Sequence, residues 1–526
     1  MKKFFFIALA MTITFVGMAQ RLAVRWNEKY KAPEGQYQNL QFIKAAPTNE
    51  DAVIAIYRKI NPSLFDNDYV LVKMNSKLDP SGEQKLDYPA NGSEGMIDIL
   101  KLKQTNYLLE YKVKGDKYAE LFLTPINLKT FKKEISTKKI ADIAENDLVS
   151  PDEVAGSKYS IFLDVVYSPD SSKLLLNYYS KFQASKSMYS IVLNNSGQII
   201  YTANHTWEEP ADHIQMQKPA IDNDGKVYFM WRTYSQSFSK DMEKGEGDQI
   251  PSYTSQLLVV DKEKKNNYTF ETDGKYLHDM MLGYDKNKKP LVVGTFKEKY
   301  NGRLKGVFIT PAIGEASAIA NITFSLYPPE LQDRVDADME LKKLSPGLTN
   351  DFYVGSVMSA SDGTNYMVSE FFKLTNMENA FIYEKGDLVV TTFTNDGKVV
   401  YQGLPRRQYV NASLTSDEYL APNEFLTLIV DNKLVLLYND SEENSMQDIK
   451  EKIIRFTKST KSVVLASTIN TQGKLLSRKI VLNHLDLEGY IFNYRLCSMR
   501  TNMYAIFAAK PQKANEGVMA GLMMAK

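Results

Sequence analysis

The 526-residue chain holds a single cysteine, Cys497, so neither a disulfide framework nor a cysteine-rich zinc site can be built from it. Histidine is nearly as scarce. The four, His205, His213, His278 and His484, include no pair three to five residues apart, the interval that zinc motifs use. An excess of one charge sign is missing too, with 64 Lys and Arg against 63 Asp and Glu, so the basic footprint of a nucleic-acid partner is absent. There is no Gly-x-Ser-x-Gly elbow, no Walker loop and no dinucleotide fingerprint. These absences leave no signature for a cofactor or a His-based metal centre. Only a divalent cation held by carboxylates stays open.

Long apolar runs are confined to the amino terminus. Lys2 and Lys3 precede an apolar stretch from Phe4 to Val16, and Gly17 and Ala19 place small residues three and one positions before a cleavage ahead of Gln20. Residues 1–19 therefore read as a secretory signal peptide, too short to cross a bilayer, which takes roughly 18 to 20 apolar residues. No later segment has the length of a transmembrane helix. This leader resembles those of exported Bacteroidota proteins. The resemblance implies a Gram-negative cell and a periplasmic, cell-surface or secreted location, which a disulfide-free exported chain suits.

The mature part, residues 20–526, reads as one domain written in strands. Short runs rich in Val, Ile, Leu, Tyr and Phe alternate with turn clusters such as Asn194–Gly197, Asp222–Gly225 and Asn395–Gly397. Asp222–Gly225 opens like a calcium loop, but Thr233 occupies the position of the bidentate Glu, so it reads as a hairpin turn. Seven segments superimpose, beginning at Asn106, Lys173, Lys226, Pro290, Asn365, Lys433 and Asn502, at an average interval of about 66 residues, and a second hairpin follows six of them. Two hairpins per period make a four-stranded unit, and units that bury both faces show continuous apolar runs rather than strict alternation. The pattern resembles the β-propeller superfamily in architecture alone, without the Trp-Asp, kelch or aspartate-box signatures of its named families.

That resemblance implies an all-β fold of seven four-stranded blades, with six or eight as alternatives, and a ring closed by the N-terminal segment 20–95 completing the last blade. Asn49–Ile60 reads as a short helix or an outer strand, Met446–Phe456 as a helical insert, and Val518–Ala525 as a closing strand or packed terminus. Charged or Pro-rich inserts lie at 236–252 and 327–351.

One aligned position carries Asp98, Asp164 and Asp279, where the other units have Met216, Ser356, Phe425 and Tyr494. Carboxylates gathered at a channel mouth could bind a cation or a sugar, or act as the acid and base of glycoside cleavage. The competing reading is that each Asp binds backbone N–H groups and fixes its own unit, since repeat positions usually repeat for structural reasons. A second cluster runs from His205 through Trp207 to His213, where an aromatic beside acids and imidazoles could stack on a sugar. A solvated connection anchored by one Trp is the structural alternative. Trp231 and Arg232 occupy a strand position where other units carry aromatics, so Arg232 is either a ligand contact or a paired buried charge.

From this the chain reads as an exported, non-catalytic binding or assembly module of the bacterial envelope, with a protein or glycan partner. The rival is a carbohydrate-active hydrolase or lyase using Asp98, Asp164, Asp279 and Glu370.

Overall fold

The computed structural model describes residues 22–26, 40–48, 52–59, 69–89, 93–103, 105–114, 118–134, 136–144, 163–179, 187–237, 251–312, 318–338, 347–377, 380–406, 408–413, 425–446, 462–483, 491–500, 503–509 and 518–525. They form eight sheets of antiparallel strands, with one short parallel addition. Sheet 1 comprises Leu40–Pro47, Val53–Lys59, Tyr69–Met74 and Pro80–Leu86. Sheet 2 comprises Glu94–Leu102, Thr105–Lys114, Tyr118–Asn127 and Lys138–Ala144, and sheet 3 Leu163–Tyr167, Lys173–Tyr179, Ser187–Asn194 and Ile199–Thr206. Sheet 4 contains Ile214–Met216, Val227–Tyr234, Tyr253–Asp261 and Lys264–Phe270, and sheet 5 Tyr276–Tyr284, Pro290–Lys297, Gly306–Pro311 and Thr323–Leu326. Sheet 6 contains Phe352–Ser359, Asn365–Met377, Ala380–Phe393 and Val399–Leu404, and sheet 7 Phe425–Val430, Lys433–Ser441, Ser462–Ile469 and Leu475–Leu482. Sheet 8 joins Ile491–Arg500, Met503–Ala509 and Val518–Ala525 to the N-terminal strand Leu22–Trp26.

The expected partition of the N-terminal segment is therefore only half correct. Leu22–Trp26 does complete the last sheet, pairing antiparallel with Val518–Ala525 from Leu22 opposite Ala525 to Trp26 opposite Gly521. Residues 40–86 instead make a whole sheet of their own. Its first hairpin, Leu40–Pro47 with Val53–Lys59, has a bulge at Phe42 and Lys44, and it escaped the repeat because the residues joining the strands, Thr48-Asn-Glu-Asp-Ala52, include no glycine turn signature. The 53–59 segment is a strand and not a helix, as its β-branched Val53, Ile54 and Ile56 favour.

Burial follows the order of strands within a sheet. Second strands whose side chains are described are buried on both faces over most of their length, and all eight residues of Pro290–Lys297 are buried. Outer strands face water, and in Ile199–Thr206 exposed and half-buried residues alternate. Apolar cores lie between consecutive sheets. Leu174, Leu176 and Tyr178 pack toward sheet 2, while their neighbour Leu175 packs with Phe229 and Trp231 of sheet 4. The same alternation carries Met230 against Phe296 of sheet 5 and Val293 against Phe371 of sheet 6. Four-stranded antiparallel sheets stacked face to face in chain order give an all-β architecture consistent with a propeller. The first strand of sheet 8 lies beside strands of both sheet 7 and sheet 1.

Tight turns such as Ser168–Lys173, Asp285–Lys289 and Ala360–Thr364 join first to second strands, and Asn75–Asp79, Asn194–Gln198, Thr394–Lys398 and Asn470–Lys474 join third to fourth, all at the same end of their sheets. In the Asn194–Gln198 turn, Asn194 Oδ1 accepts the backbone N–H groups of Ser196 and Gln198, and Gly197 supplies the positive φ of 71°. Turns of adjacent sheets bond one another, with Asp170 N–H donating to Asn223 and Ser361 N–H to Asn432. Connections from second to third strands and from one sheet to the next leave from the opposite end. They include helix α1 (Pro329–Asp338), anchored by a buried ion pair from Arg303 to Asp336 at 2.7 Å, and helix α2 (Glu442–Met446). The insert at 327–351 thus opens in a helix. Residues 447–461 and 238–250 lie outside the described residues.

Candidate functional site

The three aligned aspartates are distributed among different layers. Asp98 pairs in register with Leu109, which faces sheet 3. Asp164 pairs with Asn177 on the face that carries Leu175 and Val166 toward sheet 4. Asp279 shares the face of Met281, which packs toward sheet 6. Each carboxylate therefore faces the next sheet in chain order. Two of them also make backbone bonds. Asp98 Oδ1 accepts the N–H of Ile99 at 2.6 Å, and Asp279 Oδ2 accepts the N–H of Val354 in sheet 6 at 2.5 Å. Both sit at bulges, between Met96 and Asp98 and between Leu277 and Met280. The second bulge needs Gly294 beneath it, because a Cβ there would stand 2.0 Å from the Asp279 carbonyl oxygen.

The aromatic candidates do come together. His205 is at the end of the outer strand of sheet 3, its ring 4.7 Å from Trp207 and 6.1 Å from Trp231, and the two indoles are 5.9 Å apart. Both indoles are buried, whereas His205 is half-buried. Burial and the Lys265 ammonium hold its imidazole below the ordinary histidine range, against the pull of Glu209. His213 lies in a 3-10 turn, Ala211–His213, that follows the strand of His205.

Trp231 and Arg232 are adjacent in the chain and so point to opposite faces of sheet 4. Arg232 enters the layer against sheet 5, where its Nη1 donates to Nδ1 of buried His278 at 3.1 Å. Its guanidinium lies 5.2 Å from the Tyr253 ring, and Tyr253 continues through Tyr276 to Tyr300 in edge-on contacts. Burial, then Lys297, then Arg232 hold the His278 imidazole well below the usual range, opposed by a backbone bond at Asn350. Since arginine has only N–H donors, Nδ1 of His278 is the acceptor. Arg232 is thus a buried charge in specific contact with an imidazole.

Sequence reasoning missed the most extensive polar assembly, between sheets 6 and 7. Glu370 is fully buried and accepts from Arg406 Nη1 at 2.6 Å, and the Arg406 N–H donates to Asp387 at 3.2 Å. Across the layer, Arg478 donates to Asp440 at 2.8 Å, to the Asn444 and Pro405 carbonyls and to the Tyr438 hydroxyl. Asp440 also accepts the Asn444 side-chain amide at 2.8 Å and the Ser441 N–H. Lys385 is fully buried beside Phe372. A signal for it exists in the sequence: Asp387 and Asp440 interrupt apolar runs, at GDLVV and LVLLYND.

All three assemblies lie toward the end of their sheets that carries the long connections. Among the described residues, no group of three or more His, Cys, Asp or Glu is placed to hold a metal ion, and no helix is long and apolar enough to cross a membrane.

No family model and no curated protein matches the chain. Solved structures similar to it are distant. Prolyl oligopeptidase B from Galerina marginata is 10% identical with a TM-score of 0.39, covering 90% of this chain and 55% of the peptidase. The chain thus spans about half the length of that protein. A protein from Lactobacillus plantarum is 11% identical with a TM-score of 0.32 over 87% of this chain and 89% of its own. The lignostilbene dioxygenase of Pseudomonas brassicacearum is 9% identical with a TM-score of 0.34 over 88% and 92%. At these identities and TM-scores the likenesses assign the chain neither a family nor a chemistry.

Proposed function

We propose that the chain is an exported, non-catalytic β-propeller of eight blades that serves as a binding or assembly module in the envelope of a Gram-negative bacterium. The ring closes where Leu22–Trp26 pairs with Val518–Ala525, and sheet 8 lies between sheets 7 and 1. The long-connection end receives a protein or glycan partner. Export rests on the leader at residues 1–19, which lie outside the described residues.

The observation that carries the non-catalytic reading is the commitment of the carboxylates. Glu370 is fully buried against Arg406, Asp279 holds a backbone N–H of the neighbouring sheet, and the aligned aspartates face different layers. A glycosidase needs two carboxyls flanking one bond, roughly 5 to 9.5 Å apart. The rival glycoside hydrolase or lyase is tested directly. Aryl glycosides and polysaccharides incubated with the chain should give no products, and Asp164→Asn should change nothing. Turnover abolished by Asp164→Asn or Glu370→Gln would replace this reading with the enzymatic one. Fractionation should place the chain outside the cytoplasm with Gln20 as its first residue.

A further inference from the structure

The layer between sheets 3 and 4 concentrates hydrogen-bond donors that the protein does not use. The indole N–H of Trp207, the indole N–H of Trp231 and the side-chain amide N–H group of Asn177 are buried and find no acceptor among the described residues. The buried hydroxyl of Thr233 is likewise without a partner there. Native proteins leave few such groups, and each calls for an explanation. Here four belong to one layer. Trp231 and Thr233 are two residues apart on the face of sheet 4 that carries Phe229 toward sheet 3. Asn177 is two residues from Leu175 on the facing sheet, and its row continues through Asp164 on one side and Ser190 on the other. The next row ends in His205, through its partner Met188.

The chemistry of the set selects its occupant. Indole and amide N–H groups ask for acceptor oxygens. Asp164 on the same face disfavours an anion and offers an acceptor to a hydroxyl. The two indoles and the half-buried imidazole supply apolar ring surface beside these polar atoms. A ligand that brings many oxygens, no charge and a flat C–H face is a neutral sugar. We propose that this layer is a carbohydrate subsite, entered beside His205 at the outer edge of sheet 3. The proposal rests on the binding-module reading and names its glycan.

The chain has three tryptophans, of which Trp207 and Trp231 are in the layer and Trp26 is in sheet 8. Indole ¹⁵N–H signals therefore report on the site, with Trp26 as the internal control. Titration of the mature chain with glucose, galactose, mannose, arabinose, N-acetylglucosamine, cellobiose and maltose should shift two of the three signals saturably with at least one sugar. Thr233→Val, nearly isosteric, should weaken that binding by about tenfold, the loss of one hydrogen bond to the ligand, and Trp207→Phe by at least as much. Exposed Lys398→Ala should leave it unchanged. Silence of both indoles with every sugar up to its solubility limit would overturn the subsite and leave the scaffold reading intact. Shifts produced by capped tripeptides and by no sugar would also overturn it. Saturable shifts with release of products from the sugar would support the subsite and remove the non-catalytic reading instead.

Discussion

Asp279 reaches out of its own sheet, and its Oδ2 accepts the backbone N–H of Val354 at 2.5 Å, so a side chain of sheet 5 completes the hydrogen bonding of the first strand of sheet 6. The bulge at Leu277 and Met280 aims it there, and Gly294 leaves the space. Asp279 thereby fastens sheet 5 to sheet 6. Asp279→Ala should destabilise the fold by about 1–3 kcal/mol, as expected for a backbone donor that loses its acceptor. Asp279→Asn, which keeps an acceptor oxygen, should lose less. Thermal melts of the two variants compare them.

Glu370 and Arg406 form an ion pair with both side chains fully buried. Removing one partner strands the other charge, so Glu370→Leu or Arg406→Met alone should cost about 3–5 kcal/mol. The double variant should recover most of that loss, and a double-mutant cycle by denaturant titration measures the coupling. Losses that simply add would mean that the two groups act independently.

His278 gives the fold an acid-sensitive point. Its folded-state pKa is depressed by burial and by Lys297 and Arg232, while the unfolded imidazole titrates near 6.5. Above that pH both states are neutral and the group contributes no pH dependence. Below it the unfolded chain takes up a proton that the folded one refuses, so stability falls as pH drops. Melting temperature measured from pH 7.5 down to 5 should decline, and His278→Asn should flatten the decline.

The strand Leu22–Trp26 is the sole cover over one edge of Val518–Ala525 among the described residues. A chain beginning at residue 28 should expose that edge and self-associate, since unpaired edges template pairing with other chains. Light scattering follows the association, and a synthetic peptide of residues 20–27 should suppress it. A truncated chain as monomeric and as stable as the parent would count against ring closure.

Much of the architecture was legible because the repeat is written in turns and apolar runs. Asn194, Gly197 and their counterparts define hairpins by local chemistry alone, and seven of the eight units followed from them. Sheet 1 was lost because the connection between its first two strands, Thr48-Asn-Glu-Asp-Ala52, carries no glycine to mark a tight turn. The alignment also placed Asp98, Asp164 and Asp279 at one equivalent position. It could not show that equivalent residues in stacked sheets face successive layers, because the face of a side chain depends on register and on bulges. The Glu370, Arg406, Asp440 and Arg478 assembly was harder still. Its members are up to 108 residues apart in the chain, and a charge within an apolar run identifies its partner only once the sheets are packed.

The seam between Leu22–Trp26 and Val518–Ala525 also sets an order of events. Leu22 finds its place only beside Ala525, about 500 residues later in the sequence. Every other described pairing within a sheet joins segments at most a few tens of residues apart, with the exception of the short clasp from Ala318–Ile319 to Thr269–Phe270. Sheets 1 to 7 can therefore assemble as they emerge, whereas Leu22–Trp26 must wait for Val518–Ala525 to be made. Contacts so distant in sequence form slowly. The final docking of Leu22–Trp26 is thus expected to be the slowest kinetic phase of refolding, and a circular permutant with joined ends, opened at the Gly397 turn, should shift that phase to a different pair of strands.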